Sequence, residues 1–473
     1  MGDSQINDMR HVRRIHFVGI GGSGMSGIAE VLLNQGYQVS GSDVALTDVT
    51  TRLANMGAKI YNCHSEAHVN NSDVVVVSSA VDSTNPEVSH AHHLRLPVIS
   101  RAEMLGELMR FRYGIAIAGT HGKTTTTSFI TGIFEAEKLD PTFVIGGVLN
   151  STGTNARLGS GKYLIAEADE SDASFLDLKP MMAVITNIDA DHLGSYNQNF
   201  NELCHAFLSF LKKLPFYGVA VLCIDDLNIK ALLPEISRPR VTYGFDSTAD
   251  FHITDLIVDG DRWKFSVQRP NGLAAISVSL SLPGRHNVLN AAAAIAIATE
   301  ENVSDASIIK GLSEFSGVGR RFEIHRGVHF GDTRITLVDD YGHHPTEIKC
   351  VIQTARSVWP ENRIFMIYQP HRYSRTKDLY DDFVSALSEV DELLLLEVYS
   401  AGESPIDGCD GRALTRDIDR RGKLQPIFAS DTEEAFLKTA KLVQENDILI
   451  VQGAGNVNLI SKKILCSSGD ANE

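Results

Sequence analysis

No run in this chain is apolar for the eighteen or more residues that a membrane-spanning helix requires. Cysteine is sparse, with six residues (Cys63, Cys204, Cys223, Cys350, Cys409 and Cys466) in 473 and no C-x-x-C pair. That excludes a disulfide framework and reads as reduced thiols of a cytosolic protein. Positive charge is in deficit: Lys and Arg number 43 against 59 Asp and Glu, a formal charge of −16. The imbalance argues against general binding to nucleic acid or an anionic membrane, and leaves room only for local basic pockets. The N-terminus stays polar until Ile15, so no secretory signal is visible. Low-complexity linkers and sequence-level repeats are also missing. A soluble, cytoplasmic chain of about three domains is the expectation.

What is present is most concentrated at Ile115–Thr126. A short apolar run ends in Gly119-Thr120-His121-Gly122, and Lys123-Thr124-Thr125 opens a helix. Such a turn aims backbone N–H groups, a helix N-terminus and an ammonium at one point, which suits a triphosphate. Only Thr120 and His121 separate the two glycines, so this is a shortened P-loop, with Thr124 where a Mg²⁺-binding hydroxyl is expected.

A second glycine turn, Gly19-Ile20-Gly21-Gly22-Ser23-Gly24, follows the strand-like Ile15–Val18, and Asp43 ends the next strand, 38–43. This is the dinucleotide fingerprint: glycines admit a pyrophosphate closely and the acid accepts from a ribose hydroxyl. NAD, FAD and a nucleotide sugar all carry a diphosphate, and the motif alone does not choose among them. Alternation of strands and helices restarts three times, which predicts three α/β domains over residues 1–112, 113–317 and 318–473. Between Phe251 and Leu282 short alternating runs predict an antiparallel edge.

Two acidic runs each follow a strand: Glu167-Ala168-Asp169-Glu170-Ser171-Asp172 and Asp189-Ala190-Asp191-His192. Strand ends converge on one crevice in an open α/β sheet, and hard carboxylates suit Mg²⁺. An oxidoreductase would leave the P-loop and these acids without a task. A P-loop regulator would hydrolyse ATP with no acceptor.

Taken together, Gly119–Thr125, Glu167–Asp172 and Asp189–Gly194 resemble the central domain of the Mur ligases, ATP-dependent amide-forming enzymes of peptidoglycan synthesis. Gly19–Ser26 and the run Asp340-Tyr341-Gly342-His343-His344-Pro345-Thr346-Glu347 look like the branch that adds L-alanine to UDP-N-acetylmuramate. The resemblance implies a Rossmann-like N-terminal domain, a central P-loop ATPase-like domain and a Rossmann-like C-terminal domain. It implies that Lys123, Glu167 and His192 are catalytic, with ATP held by Gly119, Thr120, His121, Gly122, Lys123, Thr124, Thr125, His286, Asn287, Asn290 and Arg320. For Asn287, capping of the helix that starts there is the competing assignment. Thr124, Glu167 and His192 would ligate two Mg²⁺ ions, with Mn²⁺ as a substitute. The UDP-sugar would meet Gly19, Gly21, Gly22, Ser23, Gly24, Ser42, Asp43, Ser78 and Ser79, with His64 and Arg101 in support. L-Alanine would meet Tyr341, His343, Arg372 and Arg375. The implied partners are small molecules only, and the implied assembly is a monomer or homodimer.

Overall fold

The computed structural model describes residues 9–78, 81–150 and 154–469. Three sheets organise them. In the first, five short parallel strands run in the order Lys59–Tyr61, Gln38–Ser42, Arg14–Val18, Val74–Val77 and Val98–Ser100. Their register sets Ile15 between Val39 and Val74, and all three side chains are buried. The order reverses between Arg14–Val18 and Val74–Val77. A crevice opens at such a switch point, outside the carboxyl ends of the strands.

The second sheet has ten strands. Its parallel centre runs Arg240–Gly244, Val219–Cys223, Met182–Ile185, Tyr113–Ala118, Tyr163–Glu167, Thr142–Leu149. Thr154–Arg157 closes one margin antiparallel to Thr142–Leu149. At the other margin the expectation of an antiparallel edge needs correction where it begins. Phe251 and His252 pair parallel with Tyr243 and Gly244, at the carboxyl end of strand Arg240–Gly244, after residues 245–250 turn the chain back on itself.

Helix Lys123–Ala136 follows the strand Tyr113–Ala118 directly, and ten of its residues are buried. Its β-branched and hydroxyl-bearing composition is a poor one for an isolated helix. The hydroxyls are satisfied locally: Thr127 donates to the carbonyl of Lys123 at 2.9 Å, Ser128 to that of Thr124 at 2.7 Å, and Thr131 to that of Thr127 at 2.8 Å. Tertiary burial then supplies the stability that propensity withholds.

In the third sheet Glu323–Phe330 pairs antiparallel with Thr333–Asp340. Ile448–Gln452, Ile364–Tyr368, Glu392–Leu396 and Ile427–Ala429 continue it in parallel. By compactness the chain forms two units. One is Met1–Asp255, Phe265–Ser279 and Leu289–Ser316; the other is Leu256–Lys264, Leu280–Val288 and Gly317–Glu473. Among the described residues no helix is long and apolar enough to cross a membrane.

Candidate active site

The phosphate loop is built by two left-handed glycines, Gly119 at φ +126° and Gly122 at φ +84°. A Cβ on Gly119 would lie 2.1 Å from Thr186 Oγ1, and one on Gly122 would lie 2.5 Å from Asn290 Oδ1. Only glycine fits either position. Segment 186–189 braces the loop from the next strand. Thr186 Oγ1 donates to the His121 carbonyl at 2.6 Å, Asn187 Oδ1 accepts from His121 N–H at 2.8 Å, and Asp189 N–H donates to Thr120 Oγ1 at 2.9 Å. Thr186 and Asn187 carry no chemical signature in the sequence, so their role emerges only from the fold.

Lys123 folds back over this loop. Its ammonium donates to the Gly119 carbonyl at 2.6 Å and to both oxygens of Glu170, at 3.0 and 2.7 Å. Burial works against the ammonium. The carboxylates of Glu170, Asp169 and Glu167 outweigh it and hold the lysine pKa above its ordinary value. Glu170, which sequence reasoning noticed only as part of an acidic run, is the resting counter-ion of the lysine.

Thr124 is buried in the first turn of the helix, and Glu167 ends the strand Tyr163–Glu167. One Glu167 oxygen accepts from Gly146 N–H at 2.7 Å, while a Cβ on Gly146 would crowd the other at 3.0 Å. Glycine there leaves that carboxylate room for a further ligand. His192 stands on a left-handed backbone at φ +56°, with its Nε2 3.3 Å from Asp191. His121 faces Asp189 at 3.3 Å. A hydroxyl, a carboxylate and an imidazole beside a phosphate loop fit Mg²⁺, which takes few protein ligands and completes its shell with phosphate and water.

Of the three residues expected to hold ATP from beyond the loop, His286, Asn287 and Asn290, the last packs on Gly122 as described. His286 and Asn287 open the helix Arg285–Glu300, which starts two residues earlier than the sequence implied. Asn287 therefore does not cap it: its side-chain amide donates to the Pro283 carbonyl at 2.7 Å inside the first turn.

In the N-terminal crevice Gly19 takes φ +82° and the helix Ser23–Asn34 begins at Gly22. Asp43 Oδ2 accepts from Gly21 N–H at 2.8 Å, which ties the acid to the turn. Ser42 contributes its backbone, whose carbonyl accepts from Gly19 and Ile20; its side chain is fully buried and turned away from the turn, onto Glu87. Ser78 lines a cavity of about 380 Å³ together with Ser83, His92, Ser100, Arg101 and Asp172. Arg101 lies over the first turn of the helix, where a Cβ on Gly24 would come within 3.0 Å of its guanidinium, and its Nη2 is 3.8 Å from Asp169. That puts a cation at a helix N-terminus, a setting for an anion. Ser79 lies outside the described residues, as does the side chain of Ser23.

In the other unit Tyr341 has the guanidinium carbons of Arg320 and Arg321 each 5.2 Å from its ring centre. Arg320 also reaches Asp339 at 3.3 Å. Asp340 is buried and accepts from Phe322 and Gly342 N–H at 2.9 and 2.7 Å; burial pushes its pKa up to about 6. His343 and His371 rings lie 5.7 Å apart, and His371 stacks on Tyr399 at 5.5 Å. Arg375 is 7% exposed and directs Nη1 at the His371 carbonyl, 3.3 Å away. Arg372 stands at φ +71° and faces Glu403 at 3.9 Å. His343 and Arg375 thus both meet His371, while Tyr341 meets His343 with ring centres 5.7 Å apart.

Comparison with known proteins matches these segments to three family descriptions in the same order. They are Mur ligase family, catalytic domain, over residues 14–113; Mur ligase middle domain over 117–298; and Mur ligase, glutamate ligase domain, over 320–455. The solved UDP-N-acetylmuramate-alanine ligase MurC of Thermotoga maritima is 30% identical, covers 98% of this chain and 100% of its own, and superposes with a TM-score of 0.81. The chain belongs to the Mur ligase family. As a Mur ligase it is an ATP-dependent ligase of peptidoglycan precursor synthesis and acts on small molecules. Two other Mur ligases share the fold. A murein peptide ligase from Psychrobacter arcticus is 24% identical over 97% of this chain and 99% of its own, with a TM-score of 0.71. MurF from Acinetobacter baumannii is 17% identical over 90% of both chains, with a TM-score of 0.61.

Proposed function

We propose that this Mur ligase joins L-alanine to the lactyl carboxylate of UDP-N-acetylmuramate and releases ADP and phosphate. Residues 1–112 bring the nucleotide sugar, 113–317 bring ATP and 318–473 bring the amino acid. The lactyl carboxylate oxygen attacks the γ-phosphorus of ATP, forming an acyl phosphate and ADP. The alanine amine then adds to the acyl carbonyl carbon, loses a proton to solvent, and the tetrahedral adduct expels phosphate. A carboxylate oxygen leaves poorly and phosphate leaves well, so the enzyme's task is alignment and charge neutralisation.

Lys123 exchanges Glu170 for the β- and γ-phosphates, and the loop N–H groups hold the same oxygens. Thr124 and Glu167 would hold one Mg²⁺ and His192 a second, which neutralise phosphate charge when bound; Mn²⁺ is the substitute. Arg320 closes onto the phosphates, and Arg372 and Arg375 grip the alanine carboxylate beside Tyr341 and His343. The setting is the cytoplasm, the assembly a monomer or homodimer, with no nucleic acid or membrane partner.

The observation that carries this reading is the part-buried Lys123 at a glycine turn, held by Glu170 of the acidic run that follows a strand. The near-complete overlap with the Thermotoga maritima MurC supports alanine as acceptor. Phosphate release is the test, measured with ATP, Mg²⁺, UDP-N-acetylmuramate and a panel of L-alanine, glycine, L-serine and L-alanyl-γ-D-glutamyl-meso-diaminopimelate. Release should require both acceptors and be fastest with L-alanine. Equal release with ATP alone would end the ligase reading, and preference for the tripeptide would transfer it to peptide ligation.

A further inference from the structure

The densest cluster of titratable groups outside the ATP site surrounds Glu87, which is fully buried near the start of helix Pro86–His93. Ser42 Oγ–H donates to its Oε2. His64 Nδ1 lies 3.2 Å from the same oxygen, and His68 Nδ1 lies 2.6 Å from Oε1. Ser65 N–H donates to Oε1 at 3.3 Å, and His16 Nε2 stands 3.6 Å away, completely enclosed. His68 stacks on Tyr61 with ring centres 3.7 Å apart, which seals the cluster from one side. Burial opposes the charge on Glu87, yet hydrogen bonds from His16, Ser42 and His68 hold its pKa down at about 2.

A proton count fixes the His64 ring. Glu87 is ionised and only accepts. The Ser42 proton is committed to Glu87, so Ser42 Oγ, 2.9 Å from His64 Nδ1, also only accepts there. Both neighbours of Nδ1 are acceptors, and Nδ1 must carry hydrogen. In the neutral imidazole Nε2 is then a lone pair. His64 is one-fifth exposed, and its ring meets Ser42 and Glu87 through Nδ1, which leaves Nε2 on the other side of the ring for a ligand. The ring follows strand Lys59–Tyr61. The carbonyl of Tyr61 accepts from Asp43 N–H at 3.0 Å, and Asp43 in turn holds Gly21 of the fingerprint turn.

We propose that Glu87 is a positioning residue that fixes His64 as the Nδ1–H tautomer, so that Nε2 accepts the N3–H of a uracil base in the N-terminal crevice. The inference rests on the reading of residues 1–112 as the nucleotide-sugar domain, and adds how that domain selects its base. Uracil presents N3–H, a donor, between two carbonyls. Cytosine presents a lone pair at N3, which an imidazole lone pair repels. Sites that hydrogen-bond a substrate group discriminate strongly against analogues lacking it.

The test is calorimetric binding of UDP, CDP and N3-methyl-UDP to the full chain at pH 8. The wild type should prefer UDP over both analogues by roughly tenfold or more. His64→Ala should bring the three affinities together and leave that for a non-hydrolysable ATP analogue unchanged. His64→Gln, whose amide oxygen reaches the place of Nε2, should keep part of the preference. Glu87→Gln frees the ring to switch tautomer and should narrow the preference without touching ATP binding, which a merely structural role would not single out. If Glu87→Gln fails to fold by melting curve, the His64 variants still decide. A UDP-to-CDP ratio in His64→Ala equal to that of the wild type overturns the proposal. Failure of UDP itself to bind the wild type overturns the nucleotide-sugar reading instead.

Discussion

Glu170→Gln isolates the resting state of the phosphate loop. The closest approach of Lys123 to Glu170 is 2.7 Å. At an effective permittivity of 20, a unit charge pair at that distance interacts by about 6 kcal/mol. Part of that offsets the burial cost of the carboxylate, and Asp169 and Glu167 still face the lysine, so a net loss of about 3 kcal/mol is expected. The variant should therefore melt well below the wild type without nucleotide. A non-hydrolysable ATP analogue brings phosphate charge to the same ammonium, and in the wild type it must first displace Glu170. Ligand should accordingly raise the melting temperature more in Glu170→Gln than in the wild type. Differential scanning fluorimetry over an analogue titration, with Mg²⁺ held constant, reads this directly. Equal ligand-induced shifts in the two proteins would refute the exchange of carboxylate for phosphate.

Gly119→Ala forces a Cβ to 2.1 Å from Thr186 Oγ1 at φ +126°. Its cost is on the order of 2 kcal/mol or more, and it should appear as lost ATP-analogue binding in equilibrium titration with the N-terminal crevice still binding UDP. Unaltered ATP affinity would show that the loop does not need its glycine. For Glu87 the sign of the pH dependence follows from a folded pKa of about 2 against an ordinary 4.5. Stability from its ionisation is complete above pH 4.5 and drains as pH falls towards 2, at about 1.4 kcal/mol per pKa unit. Wild type should exceed Glu87→Gln by about 3 kcal/mol at pH 7 in denaturant unfolding, with the gap about 1 kcal/mol smaller at pH 4. A gap that widens on acidification contradicts the buried-carboxylate account.

Legibility in the sequence followed the strength of local signals. The apolar runs in 73–80 and 363–369 predict buried strands, found at Val74–Val77 and Ile364–Tyr368, and both glycine turns predict their βα corners. Lys59–Tyr61 and Val98–Ser100, three residues each, are too short to show a period. Thr142–Leu149 is interrupted by Gly146-Gly147, and Glu323–Phe330 mixes His and Arg into its alternation and carries a bulge between His325 and Val328. At the site, motifs named the residues with distinctive chemistry. The partners that hold them were silent: Glu170 under Lys123, Thr186 and Asn187 under the loop, and His371, itself stacked on Tyr399, beside Arg375. A supporting residue is defined by where distant strands end, and no spacing rule encodes that. Ser42 shows the converse, a residue of the right type in the right motif whose hydroxyl the fold spends elsewhere.

The helix behind the phosphate loop changes how substitutions along it should be weighed. Thr127, Ser128 and Thr131 return their hydroxyls to their own preceding turn, so towards their neighbours they behave as small aliphatic groups. Valine or alanine at those points would preserve the packed shape and remove only an internal bond. Thr124, one turn nearer the loop, carries the hydroxyl proposed to hold Mg²⁺. Relatives that vary freely at the inner positions but never at Thr124 would be obeying geometry, although an unaided comparison of letters would score the four sites alike.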